Sequence, residues 1–285
     1  MSGWQHLPFH INPNLLEIGS FQLRYYSLMY LVAFGLVYLL VSYRIRKENY
    51  GFTTETIQDY FIWAILGVIL GGRLGYVLFY NFGYYMAHPL EIFLPFEFSN
   101  GIRFTGISGM SYHGGLIGFL AATVLFCRKA KIPFWRFIDL LIPVIPLGYT
   151  FGRIGNFING ELYGRATDVP WGMYFPADQA GLLRHPSQLY EAFFEGIVLF
   201  ALLWLLRGKR PFEGFLAALY LIGYGAVRFF IEFVREPDAQ LGFVLGPFSM
   251  GQMLCFIMIL SGAVIWIVRG TKSGSGRRLG VGWKE

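Results

Sequence analysis

Charge is scarce in this sequence: Asp, Glu, Lys and Arg make up 14% of 285 residues, while 55% are hydrophobic and the mean hydropathy is +0.50. So little charge cannot cover a soluble surface of this size, which excludes a water-soluble globular protein and leaves a polytopic membrane protein. Cysteine is nearly absent too. Cys127 and Cys255 fall at opposite membrane depths, so no disulfide is expected and both read as small apolar fillers. No Cys/His or carboxylate group has metal-ligand spacing, and no glycine-rich phosphate loop opens a helix after a strand. Neither a metal, a cofactor nor a nucleic-acid partner is therefore expected. Ten-residue alternation of the barrel type is missing, so spans must be helical, since helices satisfy their own backbone hydrogen bonds in lipid. Residues 1–25 lack a basic segment followed by an apolar core, so no cleavable signal is expected.

What is present is a series of apolar stretches, each near the roughly 20 residues a helix needs to cross a bilayer. They run from Tyr26 to Tyr43, Tyr60 to Tyr80, Met110 to Cys127, Phe134 to Phe151, Leu189 to Leu206, Phe215 to Val234, and Phe248 to Val268. The expected fold is an all-α integral membrane protein of seven transmembrane helices, with outward-facing interfacial arms and a small extracytoplasmic head. Its parts are an outward arm 1–25, a membrane domain 26–268 including outward loops 81–109 and 152–187, and a flexible basic cytoplasmic tail 269–285.

Lysine is absent from one side. All six lysines and nine arginines lie in the tail and in the connections after the first, third and fifth spans, which makes that side cytoplasmic and the N-terminus external. The other basic residues, Arg24, Arg73, Arg103, Arg153, Arg165, Arg184, Arg228 and Arg235, are all arginine. Planar bidentate capture of phosphate or carboxylate favours arginine over lysine, so these are ligand candidates. The alternative is pairing with Glu161, Glu191, Glu195 or Glu232.

Polar residues gather at the outer ends of the spans. Gly67, Gly71 and Gly75 form a small-residue strip for close helix approach, with Arg73 beside it. His113 opens the third span and is a candidate base or an interface residue. Tyr224, Arg228, Glu232 and Arg235 follow at steps of four, four and three, one helical face. Glu191 and Glu195 lie at the same level, whereas Asp139 is near the inner end and reads as a structural partner for Arg136 or a neighbouring helix. Tyr26, Arg73, His113, Arg153, Asn156, Glu161, Glu191, Tyr224, Arg228 and Glu232 thus converge at outer headgroup depth, where the commonest anion is a phospholipid phosphate. A transporter or scramblase would share such a site, but an odd number of spans does not divide into inverted repeats. A phospholipase would need a serine elbow, which is missing.

Five blocks carry a resemblance: "LGGRLGYVLFYN", "SYHGGLIG", "GRIGNFINGELYGR", "HPSQLYEA" and "LIGYGAVRFFIEFVREPDAQ". Together, in this order, they resemble the signature blocks of bacterial prolipoprotein diacylglyceryl transferases. The resemblance implies an inner-membrane enzyme that moves the diacylglyceryl group of phosphatidylglycerol onto the lipobox cysteine of a preprolipoprotein, leaving a thioether and glycerol phosphate. It assigns Arg153 to the lipid phosphate, with Asn156, Glu161 and Gly164 completing that wall. Arg228 and Tyr224 would stabilise the departing phosphate or position the reacting glycerol, His113 would be the base, and Tyr26 and Arg73 would support the lipid cavity, with Glu191, Glu232 and Arg235 behind them.

Overall fold

The computed structural model describes residues 3–18, 21–94, 96–97, 103–104, 109–236, 243–246 and 248–278. Its long helices are α1 Tyr25–Lys47, α2 Thr54–Tyr80, α3 Tyr112–Lys129, α4 Phe134–Ile158, α5 Ser187–Leu206, α6 Phe215–Ile231 and α7 Met250–Arg278. Five of these, α1, α2, α4, α5 and α7, are long and apolar enough to cross a membrane; α6 is apolar but shorter, and α3 ends on Arg128 and Lys129. Side chains such as Leu31 and Leu205 are 67% and 77% exposed on these helices. Apolar residues pointing outward from internally hydrogen-bonded helices are what a lipid solvent selects.

The ends of the helices depart from the apolar runs for local reasons. α2 starts ahead of Tyr60 because Thr53 caps it, its Oγ1 accepting the Thr56 N–H at 3.3 Å. α4 runs past Phe151 to Ile158, so the first half of "GRIGNFINGELYGR" is helical. α6 stops at Ile231, before Val234. α7 continues through Arg278 and takes in most of the segment read as a flexible tail; residues 279–285, with Lys284, lie outside the described residues. Between and before the long helices the described residues form antiparallel hairpins, β1 Asn14–Ile18 with β2 Phe21–Arg24, β3 Phe96–Glu97 with β4 Arg103–Phe104, and β5 Phe243–Leu245 with β6 Phe248–Ser249. Segments too short to span still have to pair their backbone groups, and hairpins do so locally.

The chain divides into two compact units, Gly51–Phe137 and the combination of Met1–Tyr50 with Ile138–Glu285. In the first, α2 packs on α3 through glycine. A Cβ on Gly71 would strike the Gly114 carbonyl and come within 2.6 Å of the Gly118 Cα, and one on Gly75 would lie 2.7 Å from the Gly114 Cα. Water-driven burial does not hold helices together in lipid, so this backbone contact supplies the packing. Gly71→Leu should therefore lower unfolding stability by about 2 kcal/mol or more, read as a drop in thermal midpoint in detergent, whereas Gly35→Leu, at a site with open space, should not.

In the second unit polar contacts tie the C-terminal end of α1 to α4 and to the start of α6. Asp139 accepts the N–H groups of Gly214 at 2.7 Å and Ala217 at 3.1 Å, which caps α6 from another helix. Its backbone carbonyl takes Arg44 Nη1 at 2.9 Å, and Arg44, fully buried, also pairs with Glu48 at 2.8 Å and bonds Tyr50 Oη at 2.7 Å. Leu199, Leu203, Phe215 and Leu216 form the apolar core beside these caps.

Candidate functional site

The larger unit gathers charged side chains where α4, α5 and α6 meet. Helical spacing on α4 places Tyr149, Arg153 and Asn156 on one face, at steps of four and three. On α5, residues Glu191–Val198 are π-helical, a form common at functional sites, and this stretch carries both Glu191 and Glu195. Gly196 lies within it, and a Cβ there would collide with the Thr150 side chain. That close approach brings the two glutamates against Tyr149 and Arg153.

Glu191 is the hub. Its Oε2 lies 2.9 Å from Arg153 Nε, 2.9 Å from Arg228 Nη1 and 3.0 Å from the Tyr149 hydroxyl, and the residue is wholly buried. Arg228 also approaches Glu195 Oε1 at 3.6 Å and Glu232 Oε2 at 3.1 Å, and Arg235 lies 4.0 Å from the same Glu232 oxygen. Ser249 Oγ donates to Glu232 Oε1 at 3.0 Å, and Gly251 leaves room for that carboxylate. Tyr149 Oη is also 2.6 Å from Glu195 Oε2, its ring stacks edgewise on Tyr224 at 6.0 Å, and Arg153 covers it at 4.8 Å. Bidentate guanidinium groups in so little water suit a tetrahedral anion.

Arg153 is the more open of the two arginines, its side chain 19% exposed against 10% for Arg228. Its Nη1 donates to Asn156 Oδ1 at 3.1 Å, and Asn156 Nδ2 donates to Glu161 Oε1 at 2.9 Å, so Arg153, Asn156 and Glu161 form one hydrogen-bonded chain. Gln188 fixes the Glu161 backbone carbonyl from α5 at 2.7 Å. Tyr26 packs its ring on Gly155, next to Asn156. Gly164 donates its N–H to the His185 carbonyl at 2.8 Å, Arg165 donates its own to the Val234 carbonyl at 2.9 Å, and no side chain would fit at Gly164 between these segments. This strap ties the end of the block to the segment after α6.

Beyond the strap, Arg184 donates from Nε at 2.8 Å and Nη2 at 3.0 Å to the two oxygens of Asp178. The guanidinium holds the Asp178 carboxyl below the usual carboxylate range. A depressed folded value means stabilisation present above the unfolded value near about 4 and lost as pH falls through the folded one. Amide protection in 176–185, taken relative to intrinsic exchange at each pH, should fall on acidification below about pH 4, while Asp178→Asn should show about 1–2 kcal/mol less protection at neutral pH and no such fall.

Arg73 and His113 lie in the other unit. Arg73 donates to the backbone carbonyls of Ile92 at 2.7 Å and Glu91 at 2.6 Å and covers the Tyr85 ring at 4.8 Å, so its guanidinium anchors the loop after α2. His113 is exposed in the first turn of α3, after the cap in which Ser111 Oγ accepts the Gly114 N–H at 3.2 Å. Tyr149 was not singled out from the sequence; its signal was its place four residues before Arg153. Arg103 and the stretch 237–240 of the span-six block have no described side chains.

Residues 13–268 match the model of a family described as Prolipoprotein diacylglyceryl transferase. Among similar proteins, one named phosphatidylglycerol–prolipoprotein diacylglyceryl transferase from Chlorobaculum tepidum is 57% identical over 265 residues, 93% of this chain and 92% of the relative. Proteins of the same name from Campylobacter jejuni and Bordetella avium are each 49% identical, over 94% and 92% of this chain and 97% and 96% of their own lengths.

Proposed function

The chain belongs to the prolipoprotein diacylglyceryl transferase family, and from that premise we propose that it carries the diacylglyceryl group of phosphatidylglycerol to the thiol of a lipobox cysteine in a preprolipoprotein. The observation that carries the site assignment is the Arg153–Glu191–Arg228 bridge, with both guanidinium groups 2.9 Å from one carboxylate oxygen. Held in this way, two arginines need no reorganisation when a phosphate arrives, and they meet it in a water-poor setting. The cysteine sulfur attacks the glycerol carbon that bears the phosphate. The sulfur–carbon bond forms as the carbon–oxygen bond breaks, glycerol phosphate leaves with its charge on the arginines, and the thiol proton goes to a base.

Arg153 holds the lipid phosphate, with Asn156, Glu161 and Gly164 as its wall and Tyr26 alongside. Arg228, oriented by Glu191 and Glu232, takes the charge that develops on the leaving oxygen, and Tyr224, four residues before it, acts with it on the departing phosphate or the reacting glycerol. His113 as the base and Arg73 as a lipid contact rest on the resemblance of their blocks. The same proposal has residues 26–268 cross the bacterial cytoplasmic membrane seven times, with the N-terminus outside, the tail 269–285 inside and the site at outer-leaflet depth. The one-sided lysines and the apolar α6 support that reading. Incubating purified protein with phosphatidylglycerol and a lipobox peptide should add one diacylglyceryl mass to the peptide. Phosphatidylethanolamine should give none. Equal modification from both lipids would overturn the assignment of substrate.

A further inference from the structure

We propose that Glu195 is held as a neutral carboxylic acid that donates its proton to Tyr149, leaving the arginine cluster with one uncompensated positive charge for an incoming phosphate. The phosphate clause rests on the transferase reading; the protonation state does not.

The hydrogen count comes first. Tyr149 Oη lies 2.6 Å from Glu195 Oε2 and 3.0 Å from Glu191 Oε2. A phenol owns one proton, so it cannot donate to two carboxylates at once, and one of the two contacts needs a proton from the carboxyl side. Glu191 Oε2 already faces Arg153 and Arg228 at 2.9 Å each, which fixes Glu191 as the anion. The nearest guanidinium nitrogen to Glu195 is 3.6 Å away, beyond hydrogen-bond reach. The proton therefore sits on Glu195, whose O–H donates to Tyr149, and Tyr149 donates to Glu191. A 2.6 Å oxygen–oxygen separation suits such a bond.

Burial and charge agree with this count. Glu195 and Glu191 are both fully buried with an Oε1 that has no hydrogen-bond partner, and what separates them is that both guanidinium groups reach Glu191 Oε2 at 2.9 Å. A bare buried carboxylate oxygen is far more costly than the carbonyl of a neutral acid. The ionisable groups facing Glu195 are Tyr149 and Arg153 on α4, Glu191 on α5, Arg228 on α6 and Cys255 on α7. Of these, the two arginines favour its anion, and Glu191 engages both. Arg153, Arg228 and Arg235 then face two carboxylates, Glu191 and Glu232, instead of three. That group carries +1, and the count stands when Glu161, joined to Arg153 through Asn156, and Arg165, which donates to the Glu232 carbonyl, are added as one charge of each sign; a bound phosphodiester makes it neutral. With Glu195 ionised, the empty site would be neutral and the loaded one anionic, in surroundings where uncompensated charge is poorly tolerated.

Infrared difference spectra of the purified full-length protein in neutral detergent, with and without carboxyl-labelled glutamate, test this assignment. Wild type at neutral pH should show a label-sensitive carboxylic-acid carbonyl stretch that is missing from Glu195→Gln, present in Glu232→Gln and shifted in Tyr149→Phe. If Glu195→Gln does not fold, carbon-13 resonances of labelled wild type should still show one glutamate in the neutral-acid position at neutral pH, moved by Tyr149→Phe. No acid signal in wild type would overturn the proposal. So would a band that survives Glu195→Gln. These readouts need no turnover, so an acid band in a protein that transfers nothing would sink the transferase reading and leave the protonation state of Glu195 standing.

Discussion

Arg153→Ala is expected to lower transfer by about a thousandfold or more, the scale seen when a charge-stabilising donor is removed from a water-excluded site. The variant loses the most open guanidinium of the cluster and the Asn156 contact behind it. It also leaves Glu191 with Arg228 as its remaining cation, so part of the effect can come through altered packing. Arg153→Lys separates the two contributions, because it keeps the charge and loses the fork that reaches Glu191 and Asn156 together. We expect Arg153→Lys to fold like wild type and to run about a hundredfold slower. Rates are to be taken at matched membrane levels with phosphatidylglycerol varied. A wild-type rate in either variant would remove Arg153 from the site.

Glu191→Gln has the second large effect, and it acts on stability as well as rate. The amide keeps the shape of the side chain but withdraws the anion shared by Arg153, Arg228 and Tyr149. Arg153 then loses its carboxylate partner, and Arg228 is left with Glu232 at 3.1 Å. Removing one partner of a buried ion pair costs about 3–5 kcal/mol, so the unfolding midpoint should fall sharply and transfer should drop by about a hundredfold or more in what remains folded. Glu232→Gln is the comparison. Glu232 stands 3.1 Å from Arg228 and 4.0 Å from Arg235, at the edge of the cluster, so its loss should be the smaller on both measures. Equal stability of Glu191→Gln and wild type would mean that Glu191 does not bridge the arginines.

The cluster was legible where the signal was local. Steps of four, four and three from Tyr224 to Arg235 predicted a shared face, and the structure joins Arg228, Glu232 and Arg235 in one ion-pair chain although α6 ends at Ile231. Gly67, Gly71 and Gly75 announced a close helix contact, and α3 supplies it through Gly114 and Gly118. Long-range partners were hidden. Asp139, read as a partner for Arg136 or a neighbouring helix, caps α6 at Gly214, a pairing that no spacing rule carries. Arg73 spends its guanidinium on carbonyls 18 and 19 residues away, which depend on how the following loop folds back. The π-helical turn in "EAFFEGIV" was illegible because its composition also suits an α-helix; Gly196 was its one visible hint. Tyr149 was one of 18 tyrosines, distinguished by a register that mattered once Arg153 was already suspected.

Thiol-dependent release of glycerol phosphate tests the central claim most directly. Headgroup-labelled phosphatidylglycerol is incubated with the purified protein alone, with a lipobox peptide, and with the same peptide carrying serine in place of cysteine. We predict release with the cysteine peptide, one glycerol phosphate for each diacylglyceryl group gained by the peptide, and none in the other two arms. Release without any peptide, or no release from protein that is demonstrably folded, would contradict a transferase built on Arg153 and Arg228.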